Sequence, residues 1–120
     1  MNIYSNSGIY GIRNLKTGQW YIGQSIDIPK RIRGIWSKLK CKYNENPMLQ
    51  MGYNQDGKAL FCAVVLEYAP RKNLDELEQK WIDAYRANQA KYGYNMRPVR
   101  SLKNKKVKSS LQNRDDFHVA

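Results

Sequence analysis

The sequence predicts a small mixed α/β domain of the α+β kind, with strands leading and helices flanking them. Three observations predict it. Two short stretches near the start are rich in Ile and Tyr and share a Gly-containing link; a later run is almost wholly apolar; two further segments carry apolar residues at helical spacing. A length of 120 residues holds one such domain and leaves little for a second.

The elements follow in order. Residues 8–14 and 19–24 read as strands, and Leu15-Lys16-Thr17-Gly18 between them is a hairpin connection. Asp27 then offers a helix cap, with Pro29 tolerated in the first turn. From there Ile28, Ile32, Ile35 and Leu39 recur along one helical face, while Lys30, Arg33, Lys38 and Lys40 lie off it. A short helix is expected over 46–53, and Asn54-Gln55-Asp56-Gly57 is a turn. Residues 59–66 are so continuously apolar that they predict a central strand. Asn73, with Glu76 three residues on, has the pattern of a reciprocal cap, and Leu74, Leu77, Trp81 and Tyr85 form a stripe over the helix that follows. Glu78 lies beside that stripe.

Composition narrows the partners. Twenty-one Lys and Arg against ten Asp and Glu give a net charge of +11, which favours a polyanion, because each neutralised phosphate releases condensed counterions. No segment approaches the ~18 apolar residues of a membrane span, and the first residues lack the basic and apolar regions of a signal peptide. DNA or RNA in the cytosol or nucleoid is the expected setting, with no membrane partner and a monomer as the default. The cysteines, Cys41 and Cys62, match no metal spacing, and the one histidine, His118, lies in the tail, so a zinc site is not expected. Cys62 reads as a small core residue. Residues 97–120 carry seven Lys or Arg and two Asp among few apolar residues. The expected division is therefore a domain at 1–96 and a basic, flexible tail at 97–120 whose Lys103, Lys105, Lys106 and Lys108 grip phosphates without reading bases.

Tyr10, Tyr21, Arg31 and Glu78 are the chemical groups these elements offer, and by themselves they say little, since surface Arg–carboxylate pairs are common. Their spacing says more. Gly8-Ile9-Tyr10, ten residues, Tyr21-Ile22-Gly23, then Arg31 eight residues on, Glu78 three before Trp81, and Gly93-Tyr94-Asn95 come in a fixed order. In this the chain resembles the GIY-YIG nuclease superfamily, above all the catalytic domains of phage and intron-encoded homing endonucleases found on mobile elements. The resemblance covers residues 8–95. It implies a central three-stranded, mostly antiparallel sheet flanked by helices. It also implies a DNA endonuclease that hydrolyses phosphodiester bonds with Mg²⁺, for which Mn²⁺ substitutes, leaving a 5′-phosphate and a 3′-hydroxyl.

By that resemblance Glu78 holds the metal, Arg31 is the catalytic arginine and Asn95 is a supporting hydrogen-bonding group. The chemistry agrees with these roles. A carboxylate, water and a phosphate make the hard oxygen shell Mg²⁺ takes. A guanidinium forks onto two nonbridging oxygens as charge develops on them. A phenol at Tyr10 can take or relay a proton if a cation assists it, with Tyr21 sharing that role or orienting the water. Lys30, Arg33 and Lys38 would meet DNA beside the site.

Each residue also has a plainer reading: strand aromatics for Tyr10 and Tyr21, a solvated charge for Arg31, a turn for Asn95. Lys30 and Arg33 contest the register of Arg31, and Asp75 and Glu76 that of Glu78. Trp20, Trp36 and Trp81 read as packing. One departure stands out, because many members carry His or Tyr one turn after the arginine and this chain has Ile35. Loss of a proton shuttle costs ~10²–10⁴-fold. Homing relatives also append a DNA-recognition region, so little sequence specificity is expected here. The rivals are a noncatalytic nucleic-acid binder on a decayed fold and a structure-specific repair nuclease.

Overall fold

The computed structural model describes residues 6–95. Strand β1 (Gly8–Asn14) turns through Gly18, at a positive φ of 81°, into β2 (Trp20–Ser25). Helix α1 (Ile28–Lys40), helix α2 (Pro47–Asp56), strand β3 (Phe61–Tyr68) and helix α3 (Leu74–Tyr85) follow. The sheet has the order β2-β1-β3 and is antiparallel throughout, with Tyr10 opposite Gly23 on one side and Val65 on the other.

Period-two alternation divides the apolar residues of the hairpin between two layers. Tyr10, Ile12 and Tyr21 pack with Ile28, Ile35 and Leu39 of α1 and Leu49 of α2. Ile9 and Ile22 pack with Leu74 and Ile82 of α3. The sheet is covered on both faces, and α1 and α3 lie on opposite sides of it. Ile82, at 1% exposure, belongs to the core, although the stripe read from the sequence left it out.

The helix starts show which capping signals act. The Asp27 carboxylate accepts from the Lys30 N–H, and the Asn46 side chain accepts from the Met48 and Leu49 N–H groups, each with proline in the first turn. Asn73 does not cap with its side chain. It closes a 3₁₀ turn, Arg71–Asn73, which leaves it at φ −101°, ψ −2°, already helical, whereas a capping side chain needs extended backbone.

The expected central strand is also corrected. β1 occupies the centre and β3 lies at one side of the sheet, with Val64 and Val65 each 40% exposed. A continuous apolar run does signal burial on two faces. Here the cover over β3 is incomplete on both, so Cys62 and Ala63 are only half-buried too. Among the described residues no helix is long and apolar enough to cross a membrane.

Candidate active site

Extended backbone in β1 and β2 points Tyr10 and Tyr21 to the α1 side, where their ring centroids stand 6.4 Å apart. They form the inner wall of a cleft of about 790 Å³, whose rim is made by Lys30 and Arg31 from the start of α1 and by Asn44 and Glu45 before α2. Arg31 is exposed, as a group that meets a phosphate from solvent must be.

The Tyr10 hydroxyl is buried and makes no well-aligned hydrogen bond, although the Arg31 and Tyr21 side chains lie within hydrogen-bonding reach of it. Burial pushes its pKa up to about 12, against the opposing pull of the nearby Arg31 guanidinium, while the charge of Glu78 adds to the rise. Burial likewise holds Tyr21 well above the ordinary phenol value, reinforced by Tyr10 and Glu78.

One glycine of the motif has a steric reason. A Cβ on Gly23 would collide with the Tyr10 hydroxyl across the strand pair. The phenol lies in the space that a side chain would fill. Gly23→Ala is therefore expected to displace the Tyr10 ring, costing ~1–3 kcal/mol of stability by overpacking and ~10²-fold in cleavage by misplacement. Thermal melts and a plasmid-nicking assay measure the two, and a wild-type cleavage rate would show that the ring's position is immaterial.

Glu78 enters from the other side of the sheet, on α3, and is 4% exposed. It does not line the cleft, but its charge acts on Tyr10 and Tyr21, and Arg31 acts on it. Burial raises its carboxyl to about 7, with the Gln24 hydrogen bond and Arg31 opposing and Asp75 adding. Gln24 joins the two acids: its Nε2 donates to Glu78 at 2.6 Å and to Asp75 at 2.8 Å.

Sequence reading passed over Gln24. The available signal was a polar residue two positions after Ile22, on the strand face that Ile22 buries.

Asn95 is 5% exposed and bonds the backbone of β2, its Oδ1 accepting from the Ile22 N–H at 2.8 Å and its Nδ2 donating to the Ile22 carbonyl at 2.9 Å. Both ends of the amide are thus committed between Tyr21 and Gly23, and Asn95 acts as a positioning residue. Ile35 packs in the core at 8% exposure and lines the cleft.

Of the expected DNA contacts, Lys30 and Lys38 line the cleft and Arg33 does not. Lys38 is bound at 2.6 Å to Glu45, whose carboxyl is lowered chiefly by that bond. Lys103, Lys105, Lys106 and Lys108 lie outside the described residues.

The arrangement supplies a cation for a phosphate, a buried phenol beside it and a buried acid behind. The family model described as the GIY-YIG catalytic domain matches residues 6–95. Among solved structures, the catalytic domain of the homing endonuclease I-TevI is similar at 28% identity and a TM-score of 0.70, covering 76% of this chain and 98% of that one. A glutamate-to-alanine mutant of the same catalytic domain, described as that of an intron endonuclease, is similar to the same degree, with 76% and 93% coverage. No curated protein sequence gives a significant match.

Proposed function

We propose, from the premise that this chain belongs to the GIY-YIG family of nuclease catalytic domains, that it is a divalent-metal-dependent DNA endonuclease of the homing-endonuclease kind. The observation that carries this reading is the convergence of Tyr10, Tyr21 and Arg31 on one cleft within the field of the buried Glu78.

The donor set fits a hard cation. Among the described residues no cluster of three or more His, Cys, Asp or Glu could enclose a metal, which disfavours an all-protein cage. A single carboxylate, pushed up to about 7 by burial and with Asp75 one turn away, instead suits Mg²⁺ or Mn²⁺. Such ions keep several waters and complete their shell with a phosphate oxygen. When bound, the ion supplies positive charge for the developing phosphorane and the departing 3′-oxygen.

The chain's own groups do the rest. Arg31 holds the nonbridging oxygens in a fork and binds them more strongly as charge develops. Tyr10 in its phenolate form, favoured by the adjacent Arg31 guanidinium, takes the attacking water's proton and becomes the neutral phenol. Tyr21 fixes the Tyr10 ring, and Asn95 fixes Tyr21 through Ile22.

Incubation of the full chain with supercoiled plasmid and Mg²⁺ is expected to give nicked or linear DNA, and EDTA to abolish it. Arg31→Ala should lower the rate by ~10²–10³-fold. Undiminished cleavage by that variant would remove Arg31 from the mechanism. Ile35 favours a second reading, a noncatalytic nucleic-acid binder on this fold, because it puts an apolar side chain in the cleft where many relatives have a proton-transfer group. Salt-sensitive DNA binding without metal-dependent cleavage would establish that reading.

A further inference from the structure

At the Arg13 end of the hairpin, and toward α3, aromatic rings and cations form one continuous surface. The Trp20 ring stacks on Tyr85 at 4.8 Å, and Tyr85 meets Trp81 edge-on at 5.6 Å. The Trp20 backbone N–H donates to the Tyr92 carbonyl at 3.0 Å, which ties the loop after α3 to this ridge. Besides Lys80, which lies 5.6 Å from the Trp81 centroid and pairs with Glu67 at 3.8 Å, three exposed cations lie over its rings: Arg13 at 5.5 Å from the Trp20 centroid, and Arg86 and Lys91 at 5.4 and 5.6 Å from that of Tyr92.

None of the three takes part in an ion pair among the described residues. Acids are few around them: Asp83, three residues before Arg86, is the one acid in residues 83–95, and its Oδ1 accepts from Gln79 Nε2. Two like charges thus share the Tyr92 ring. Arg86 is unusual in a second respect. It ends α3 in the left-handed conformation, at φ 55°, a place that normally takes glycine. A side chain held at some backbone cost is a pointer to function.

We propose that Arg13, Arg86 and Lys91 form a second nucleic-acid contact, on the α3 side of the sheet and away from the cleft, which grips backbone phosphates of a duplex. The rings hold the cations in place by cation–π attraction while leaving their N–H donors free. Side chains ordered in this way lose little further freedom when a phosphate binds. Arg13 lies three residues beyond Tyr10 along β1, an odd step that turns its side chain to the face opposite the cleft. The choice of DNA as occupant rests on the nuclease reading above and on the excess of positive charge at this surface.

The test is the salt dependence of binding by the full chain to a long linear duplex, with plasmid cleavage measured in parallel. Arg86→Gly removes the cation and relieves the backbone, so the variant should melt no lower than the wild type. It is expected to flatten the slope of log K against log salt by about 0.9 and to weaken binding roughly fivefold at physiological salt. Lys91→Gln should do the same independently, while both variants still cut at saturating protein.

A wild-type slope in both folded variants overturns the proposal, even if the wild type cleaves normally. Loss of affinity for phosphatidylserine vesicles with unchanged DNA binding would assign the surface to a membrane and also overturn it. If the wild type binds duplex and the slopes fall but nothing is cut, the second contact stands and the endonuclease reading fails.

Discussion

Glu78→Gln is expected to abolish cleavage, by at least ~10³-fold, while making the metal-free protein more stable above neutral pH. The two effects have one cause. Burial holds the Glu78 carboxyl at about 7 instead of its ordinary 4.5. The folded state therefore binds the proton more tightly than the unfolded state. The stability this contributes is fully present below about pH 4.5 and is lost as pH rises through about 7.

Gln keeps the neutral form at every pH and can still accept the Gln24 hydrogen bond. The variant's advantage should vanish in acid and grow to on the order of 3 kcal/mol in alkali. Thermal melts in EDTA across that range, beside a nicking assay with Mg²⁺, read both quantities. A variant that melts below wild type at all pH values would mean that the acid's charge is already satisfied within the protein. Mg²⁺ should in turn raise the melting temperature of the wild type more than that of the variant, because a ligand stabilises only the state that binds it.

Tyr10→Phe should cost little stability and ~10²–10⁴-fold in rate. The hydroxyl is buried with no well-aligned hydrogen bond, only loose ones with Arg31 and Tyr21, so removing it at constant ring shape should cost at most ~1 kcal/mol. The rate loss follows if that oxygen bonds the attacking water, and it should appear in kcat with KM little changed, since a contact made mainly in the transition state does not bind the ground state. Single-turnover cleavage of a labelled duplex separates the two. A variant cutting as fast as wild type would show the phenol to be a packing residue and transfer the proton step elsewhere. Tyr21, also held well above the ordinary phenol value by burial, is not a substitute base.

Much of this was legible in the linear order of residues. Alternation in Gly8–Asn14 and Trp20–Ser25 gives two strands with opposed faces, and Ile28, Ile35 and Leu39 recur at a period that makes a helix with one buried side. Asp27 caps as its chemistry requires, because its partner, the Lys30 N–H, is three residues away. The ordered spacing of the two triplets, Arg31, Glu78 and Gly93-Tyr94-Asn95 identified the family. These are short-range properties, and each is decided by groups within a turn or a strand pair.

Three matters were decided only in three dimensions. Asn73 has the residue type of a cap but sits in a 3₁₀ turn, and the preceding backbone overrides the side chain. β3 is apolar enough for the centre of a sheet, yet β1 takes that place. An apolar run reports how much surface must be covered and not which strand covers it. Asn95 has the type of a site residue but gives its whole amide to Ile22, a partner distant in sequence that no local pattern names.

The sequence by itself thus determined the element types, the family and the candidate side chains. Only the tertiary structure decided their electrostatic state, because desolvation and mutual charge depend on distances that chain order does not contain. It put Glu78 behind the sheet, where burial holds it at about 7, and seated the Tyr10 hydroxyl in the space that Gly23 leaves open.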